Sequence, residues 1–194
     1  MTISANRFLT LEEMTINAEY IMGQLLGRGW TRNAISGLLG NLQTESSINP
    51  GIWQSLESYD HDPYSTVAGA GYGLVQWTPF NKYTIWARDN GFDYKEMDAQ
   101  LSRINYEVDN NLQWFGGYSD EMTFLEFTQS LDTPEYLAEV FIKTYEHPAD
   151  PDQPIRGTQA RYWYDNLSGI ITAPPTVTNN EIFHLWLSDA LRWG

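Results

Sequence analysis

The 194-residue chain contains no cysteine, so disulfide frameworks, zinc–thiolate centres and thiol nucleophiles are excluded together. Basic residues are scarce as well: 11 Lys and Arg stand against 25 Asp and Glu, a formal net charge of −14. A field of that sign repels phosphate backbones, which removes nucleic acid from the expected ligands, and it draws the chain toward no anionic surface. The three histidines, His61, His147 and His184, have no zinc-ligand spacing, and no G-x-S-x-G nucleophile motif is present, so neither a metal nor a cofactor is expected. No apolar stretch approaches the length of a membrane span, and MTISANRFLTLEEM lacks the basic, apolar and small-residue regions of a secretory signal. The expectation is synthesis in a cytoplasm, without a classical signal and without a membrane partner.

What is present argues for a folded domain: 42% of residues are hydrophobic and 14% aromatic. Thr10 opens a T-x-x-E capping box with Glu13, and Met14, Ala18, Ile21 and Leu25 follow at helical spacing. Thr31 is an N-cap candidate for a second helix with the stripe Ile35, Leu38, Leu39 and Leu42, which Glu45 continues. From Ile48 to about Pro79 the helical period gives way to Gly, Pro, Ser, Asp and aromatic residues, predicting loops with a short hairpin and a cleft. Further helices are predicted at Tyr83 to Asn90, through Met97, Leu101, Ile104 and Val108, from Thr133–Pro134 through Phe141, and at Arg156 to Asn166. The segment from His147 to Pro154, with three prolines, is predicted as a loop. The domain is expected to span residues 1–171. TAPPTVTNN (172–180) then reads as a linker and residues 181–194 as a short amphipathic segment in need of a partner surface.

Two blocks carry the chemistry: N-L-Q-T-E-S-S-I-N-P at 41–50 and G-A-G-Y-G-L-V-Q-W-T-P at 69–79. A glutamate that continues an apolar stripe near a helix C-terminus is pushed toward its neutral form by desolvation and by the negative end of the helix dipole. Glycoside cleavage needs such an acid, protonated until it meets the leaving oxygen, and this makes Glu45 the candidate general acid.

The E-S-S-x-N-P block followed by G-x-G-L-V-Q-W resembles the paired motifs of lysozyme-like lytic transglycosylases and goose-type lysozymes. Within that superfamily the chain most resembles the phage tail lysozymes, through NAEYI (17–21), GWT-x-x-AI (29–35), GYGLVQWTP (71–79), MDAQL-x-R-I (97–104) and TYEHPADPDQPIRGTQARYWY (144–164). The resemblance covers roughly residues 5–168. It implies a mainly α, lysozyme-like α+β fold, with a helical lobe facing a small hairpin or irregular lobe across a glycan cleft, and it aligns Glu45 with the family's catalytic glutamate. The implied protein sits at the tail tip of a short-tailed phage of a Gram-positive host and opens the cell wall. Its partners would be peptidoglycan glycan strands and other tail proteins.

The second carboxylate stays open among Glu57, Asp60, Asp62 and Glu146, with Asp62 and Glu146 preferred; lytic transglycosylases manage without one. Gln76, Trp77, Tyr72 and Trp53 are candidate glycan-binding residues, since aromatic faces pack on sugar rings and an amide both donates and accepts. Tyr145, in a Y-E-H-P turn, resembles the superfamily's cleft tyrosine. The expected reaction is scission of the β-1,4 bond between N-acetylmuramic acid and N-acetylglucosamine. Anhydro-sugar-forming transglycosylation with the same acid, a glycan-binding structural tail protein and an endolysin are the alternatives.

Overall fold

The computed structural model describes residues 1–56, 63–64 and 69–169. Seven α-helices follow one another among them: α1 (Leu11–Gly27), α2 (Arg32–Ser46), α3 (Asn81–Asp89), α4 (Met97–Asp109), α5 (Phe124–Gln129), α6 (Pro134–Phe141) and α7 (Pro154–Asn166). The fold is mainly helical and lysozyme-like, as expected. The linker and terminal segment expected at 172–194 lie outside the described residues.

The caps act as the sequence implies. The Thr10 hydroxyl accepts from the Glu13 amide while the Glu13 carboxylate accepts from the Thr10 amide, so two unpaired donors at the start of α1 are satisfied reciprocally. Thr31 caps α2 through the Ala34 amide, and Thr133 caps α6 ahead of Pro134 at its first position. α5 has the same capping box, Thr123 with Glu126, a signal that could have predicted it.

α2 is the central helix and packs against α1, α5, α6 and α7. Its crossing with α7 is close because residue 40 is glycine: a Cβ there would lie 2.3 Å from the Arg156 carbonyl oxygen and 2.8 Å from the Ala160 nitrogen. Such a contact can be relieved only by moving the helices apart. The crossing sets Arg156 beside the last turn of α2.

α6 does not stop at Phe141. It widens into a π turn, Ile142–Glu146, which His147 closes in the left-handed region (φ 51°, ψ 48°); π turns concentrate at functional sites. The loop between α4 and α5 wedges against it. Gly117 has φ +46°, and a Cβ there would lie 2.4 Å from the Lys143 carbonyl oxygen, while the Phe115 amide donates to the Thr144 carbonyl and the Tyr118 amide to the Thr144 hydroxyl. His147 is thus a turn residue, stacked on Phe115 at 4.1 Å.

Between α2 and α3 the described backbone is irregular. It contains one 3-10 turn at Gln54–Leu56 and the isolated antiparallel bridges Trp53–Tyr72 and Tyr72–Trp77. The predicted hairpin is therefore reduced, among the described residues, to a tight loop around Gly73. Aromatic packing holds it: Trp77 stacks on Tyr83 at 4.4 Å, and Trp53 meets Tyr72 at 4.4 Å and Phe80 at 5.1 Å.

Candidate active site

A cleft of about 430 Å³ opens between this aromatic loop and the helical lobe. Glu45 enters it from the end of α2, Trp53 from just ahead of the 3-10 turn and Ser55 from within it, Gln76, Trp77 and Thr78 from the loop, and Tyr145 and Glu146 from the π turn. A larger groove of about 580 Å³ runs between α6 and α7, where Glu135 pairs with Arg161 and Glu139 with Lys143. The smaller cleft is the one that gathers the sequence-predicted residues.

Glu45 occupies the last turn of α2, with 21% of its side chain exposed. The helix stops one residue later because Ser47 and Ile48 both take positive φ, 51° and 53°. The rest of the motif is occupied in holding that stop: the Ser46 hydroxyl donates to the Leu42 carbonyl, and the Ser47 hydroxyl accepts from the Leu9 amide. The Asn49 amide donates to the carbonyls of Ala5 and Arg7. The N-terminal arm is thereby laced to the segment that ends α2.

Glu45 has a partner that the sequence argument did not supply. Its Oε1 accepts from Arg156 Nη2 at 2.5 Å, and Arg156 is itself 4% exposed. Arg156 Nη1 donates to Asn41 at 3.1 Å and its Nε to Gln153 at 2.8 Å, so the guanidinium is fixed on three sides.

The desolvated carboxyl is Glu146. Its Oε1 is shut from solvent and has no hydrogen-bond partner. Burial raises its pKa well above the usual carboxylate range; the charge of Glu45 and, less strongly, that of Glu107 act in the same direction, and Arg156 opposes them. One guanidinium thus faces two carboxyls, and the cluster is neutral when the pair holds one proton.

The other candidates divide by depth. Trp53 and Trp77 are 9% and 3% exposed and contribute to the cleft wall. Tyr145 is 3% exposed, stacks on Phe141 at 4.6 Å and also reaches the wall. Gln76 has φ 49° and lines the cleft, but its amide donates to the carbonyls of Gly73 and Ile52, tying the loop together. Tyr72, 1% exposed, lies in the aromatic cluster and is not among the cleft-lining residues. Asp62, with Glu57 and Asp60, lies outside the described residues.

The phage tail lysozyme profile matches residues 16–167. The chain belongs to the phage tail lysozyme family. It is also 53% identical over 169 residues to Morphogenesis protein 1 of Bacillus phage B103, an alignment covering 87% of this chain and 44% of that relative. The chain therefore spans less than half the length of the curated relative it matches.

Within this tail lysozyme fold, sequence reasoning missed Arg156 and Glu107. Both had a readable signal. Arg156 shares a buried stripe with Ala160 and Trp163 on α7, and Glu107 lies three residues after Ile104 on the buried face of α4. A charged residue on a core stripe was the same signal that singled out Glu45.

The buried proton has a thermodynamic consequence. Because the fold raises the pKa of Glu146 above its ordinary value of 4.5, the folded chain keeps a proton that the unfolded chain has lost. The stability contributed by that proton is complete below pH 4.5 and is lost as pH rises through the folded value, with a slope of at most about 1.4 kcal/mol per pH unit. Glu146→Gln is neutral at every pH. The stability of the wild type relative to this variant should therefore fall with rising pH in urea unfolding between pH 5 and pH 8, and a flat difference would remove the buried proton from the site.

Proposed function

We propose that the chain is a muramidase that cleaves the β-1,4 bond between N-acetylmuramic acid and N-acetylglucosamine in peptidoglycan. Family membership supports a lysozyme-like glycosidase. The observation that carries the more specific reading is the cleft itself, which brings Glu45 and Glu146 together beside an aromatic wall, with Glu45 ion-paired to the buried guanidinium of Arg156.

Glycosidic scission needs a proton at the leaving oxygen. Glu146 is the carboxyl that burial keeps protonated, and Glu45, with open surface at the helix end, is the carboxyl placed to reach the leaving oxygen as general acid. Arg156 neutralises whichever carboxyl is ionised. Trp77 and Trp53 form an apolar part of the wall against which the glycan would lie.

The tail lysozyme family and the name of the phage B103 relative, a morphogenesis protein, support placing the chain in a virion, and we place it at the tail tip among other tail proteins. There it would open the host wall during penetration and DNA ejection. The charge of −14 fits delivery by an assembly better than electrostatic capture by a wall rich in anionic polymers.

Mass spectrometry of the products released from purified Gram-positive peptidoglycan tests the reading. Reducing muramic ends are expected. Anhydro ends would convert the assignment to transglycosylase, and release of no muropeptide by the folded chain would leave a glycan-binding tail protein.

A further inference from the structure

Glu107 on α4 is a carboxyl without solvent contact whose charge bears on Glu146 only as the weakest of its influences and which is not itself a lining residue of the cleft. Its Oε1 accepts from Arg103 Nε at 2.8 Å and from Trp77 Nε1 at 3.1 Å, and its Oε2 accepts from the Tyr145 hydroxyl at 2.5 Å. Burying a carboxyl opposes folding, and an apolar side chain of similar volume would fill the space without that penalty. The carboxyl is therefore to be explained by what it holds.

Two of its three donors belong to the cleft. Trp77 arrives from the loop ahead of α3 and Tyr145 from the π turn after α6, segments brought together only by the tertiary fold. An indole has one N–H, and the polar anchor of Trp77 is this carboxyl. Stacking alone leaves a ring free to slide and tilt. Trp77 stacks on Tyr83 and Tyr145 on Phe141, and the two hydrogen bonds fix the remaining rotation of each ring.

Arg103 does not account for the site by itself. Its guanidinium also lies over the rings of Trp86 and Tyr106 and retains 11% exposure, so it has aromatic and solvent contacts apart from Glu107.

We propose that Glu107 is a positioning residue, a buried clamp that sets Trp77 and Tyr145 as one wall of the glycan subsite and so governs sugar affinity rather than proton transfer. The inference rests on the glycan-cleft reading. Displacing a wall that shapes the glycan subsite weakens binding in ground and transition state alike, which raises KM and leaves kcat nearly unchanged.

The test uses the full chain and a soluble N-acetylglucosamine–N-acetylmuramic acid tetrasaccharide. Glu107→Met removes every acceptor at similar volume and is expected to raise KM roughly tenfold while kcat falls less than about threefold. Glu107→Gln should restore most of the affinity, because its carbonyl still accepts from Trp77 and the Tyr145 hydroxyl can turn to accept from the amide. Loss of hydrogen-exchange protection at the Trp77 indole N–H in Glu107→Met, and its recovery in Glu107→Gln, should accompany those changes. If Glu107→Met does not fold, Tyr145→Phe removes one bond with the carboxyl in place and should raise KM severalfold at near-normal kcat. A folded Glu107→Met with unchanged KM, or a Tyr145→Phe whose kcat falls while KM holds, overturns the clamp. A folded wild type that neither binds nor turns over the tetrasaccharide overturns the muramidase reading and the clamp with it.

Discussion

Glu45→Gln is expected to lower muropeptide release by about 10²- to 10⁴-fold, the range general acid catalysis contributes, while leaving the fold intact. The substitution keeps the shape of the side chain and an oxygen that can accept from Arg156 Nη2. It removes a negative charge from a cluster in which one guanidinium serves two carboxyls. Arg156 then has only Glu146 to neutralise in the cleft. Unfolding by urea should consequently give a stability within about 1 kcal/mol of the wild type, as for substitutions that break no packing. The variant separates the members of the pair: retention of a tenth or more of the activity would move proton donation to the glycan from Glu45 to Glu146.

Arg156→Met should have the largest effect on stability, a loss of about 3–5 kcal/mol at pH 7, because removing one partner of a buried ion pair strands the other charges. Here it strands two carboxyls and leaves the Asn41 and Gln153 oxygens without their donor. The loss should shrink toward pH 5. Without the guanidinium that opposes the shift, Glu146 is held protonated more firmly still, so the stability its proton contributes disappears as pH rises. Arg156→Lys should recover part of the loss, since an ammonium supplies the charge but not the fixed fork that reaches Glu45, Asn41 and Gln153 together. A loss below about 1 kcal/mol for Arg156→Met would mean that the pair is solvated enough to need no counter-ion.

Local signals account for what the sequence revealed. α1, α2 and α6 begin at caps whose hydrogen bonds span only three residues, and their apolar stripes need no knowledge of the partner helix. α5 was equally legible at Thr123–Glu126 and went unread. The π turn was not legible, because its position depends on Gly117 approaching the Lys143 carbonyl from a distant loop.

The site divides along the same line. Glu45 was visible as the next residue on its stripe, whereas its pairing with Arg156 depends on α7 crossing α2 at Gly40. The sequence argument expected one acid desolvated at a helix end. The structure instead has an ion-paired acid and a shielded one on different elements. The aromatic candidates were correctly grouped by sequence block but not ranked by depth, since burial of Tyr72 behind Trp53 and Trp77 is a property of packing.

The E-S-S-x-N-P block combines two kinds of necessity in six consecutive residues. Glu45 faces the cleft, whereas Ser46, Ser47 and Asn49 are buried: Ser46 bonds back to Leu42 within α2, and Ser47 and Asn49 lace the end of the helix to the N-terminal arm. A saturation screen scored only by lysis of bacteria would rank these four positions together as intolerant. Adding an abundance score would separate them, with Glu45 variants accumulating as soluble inactive protein and Asn49 variants disappearing from the soluble pool. The apparent catalytic signature of the block is thus one chemical residue set in a folding determinant, and selection on either property alone would preserve the same letters.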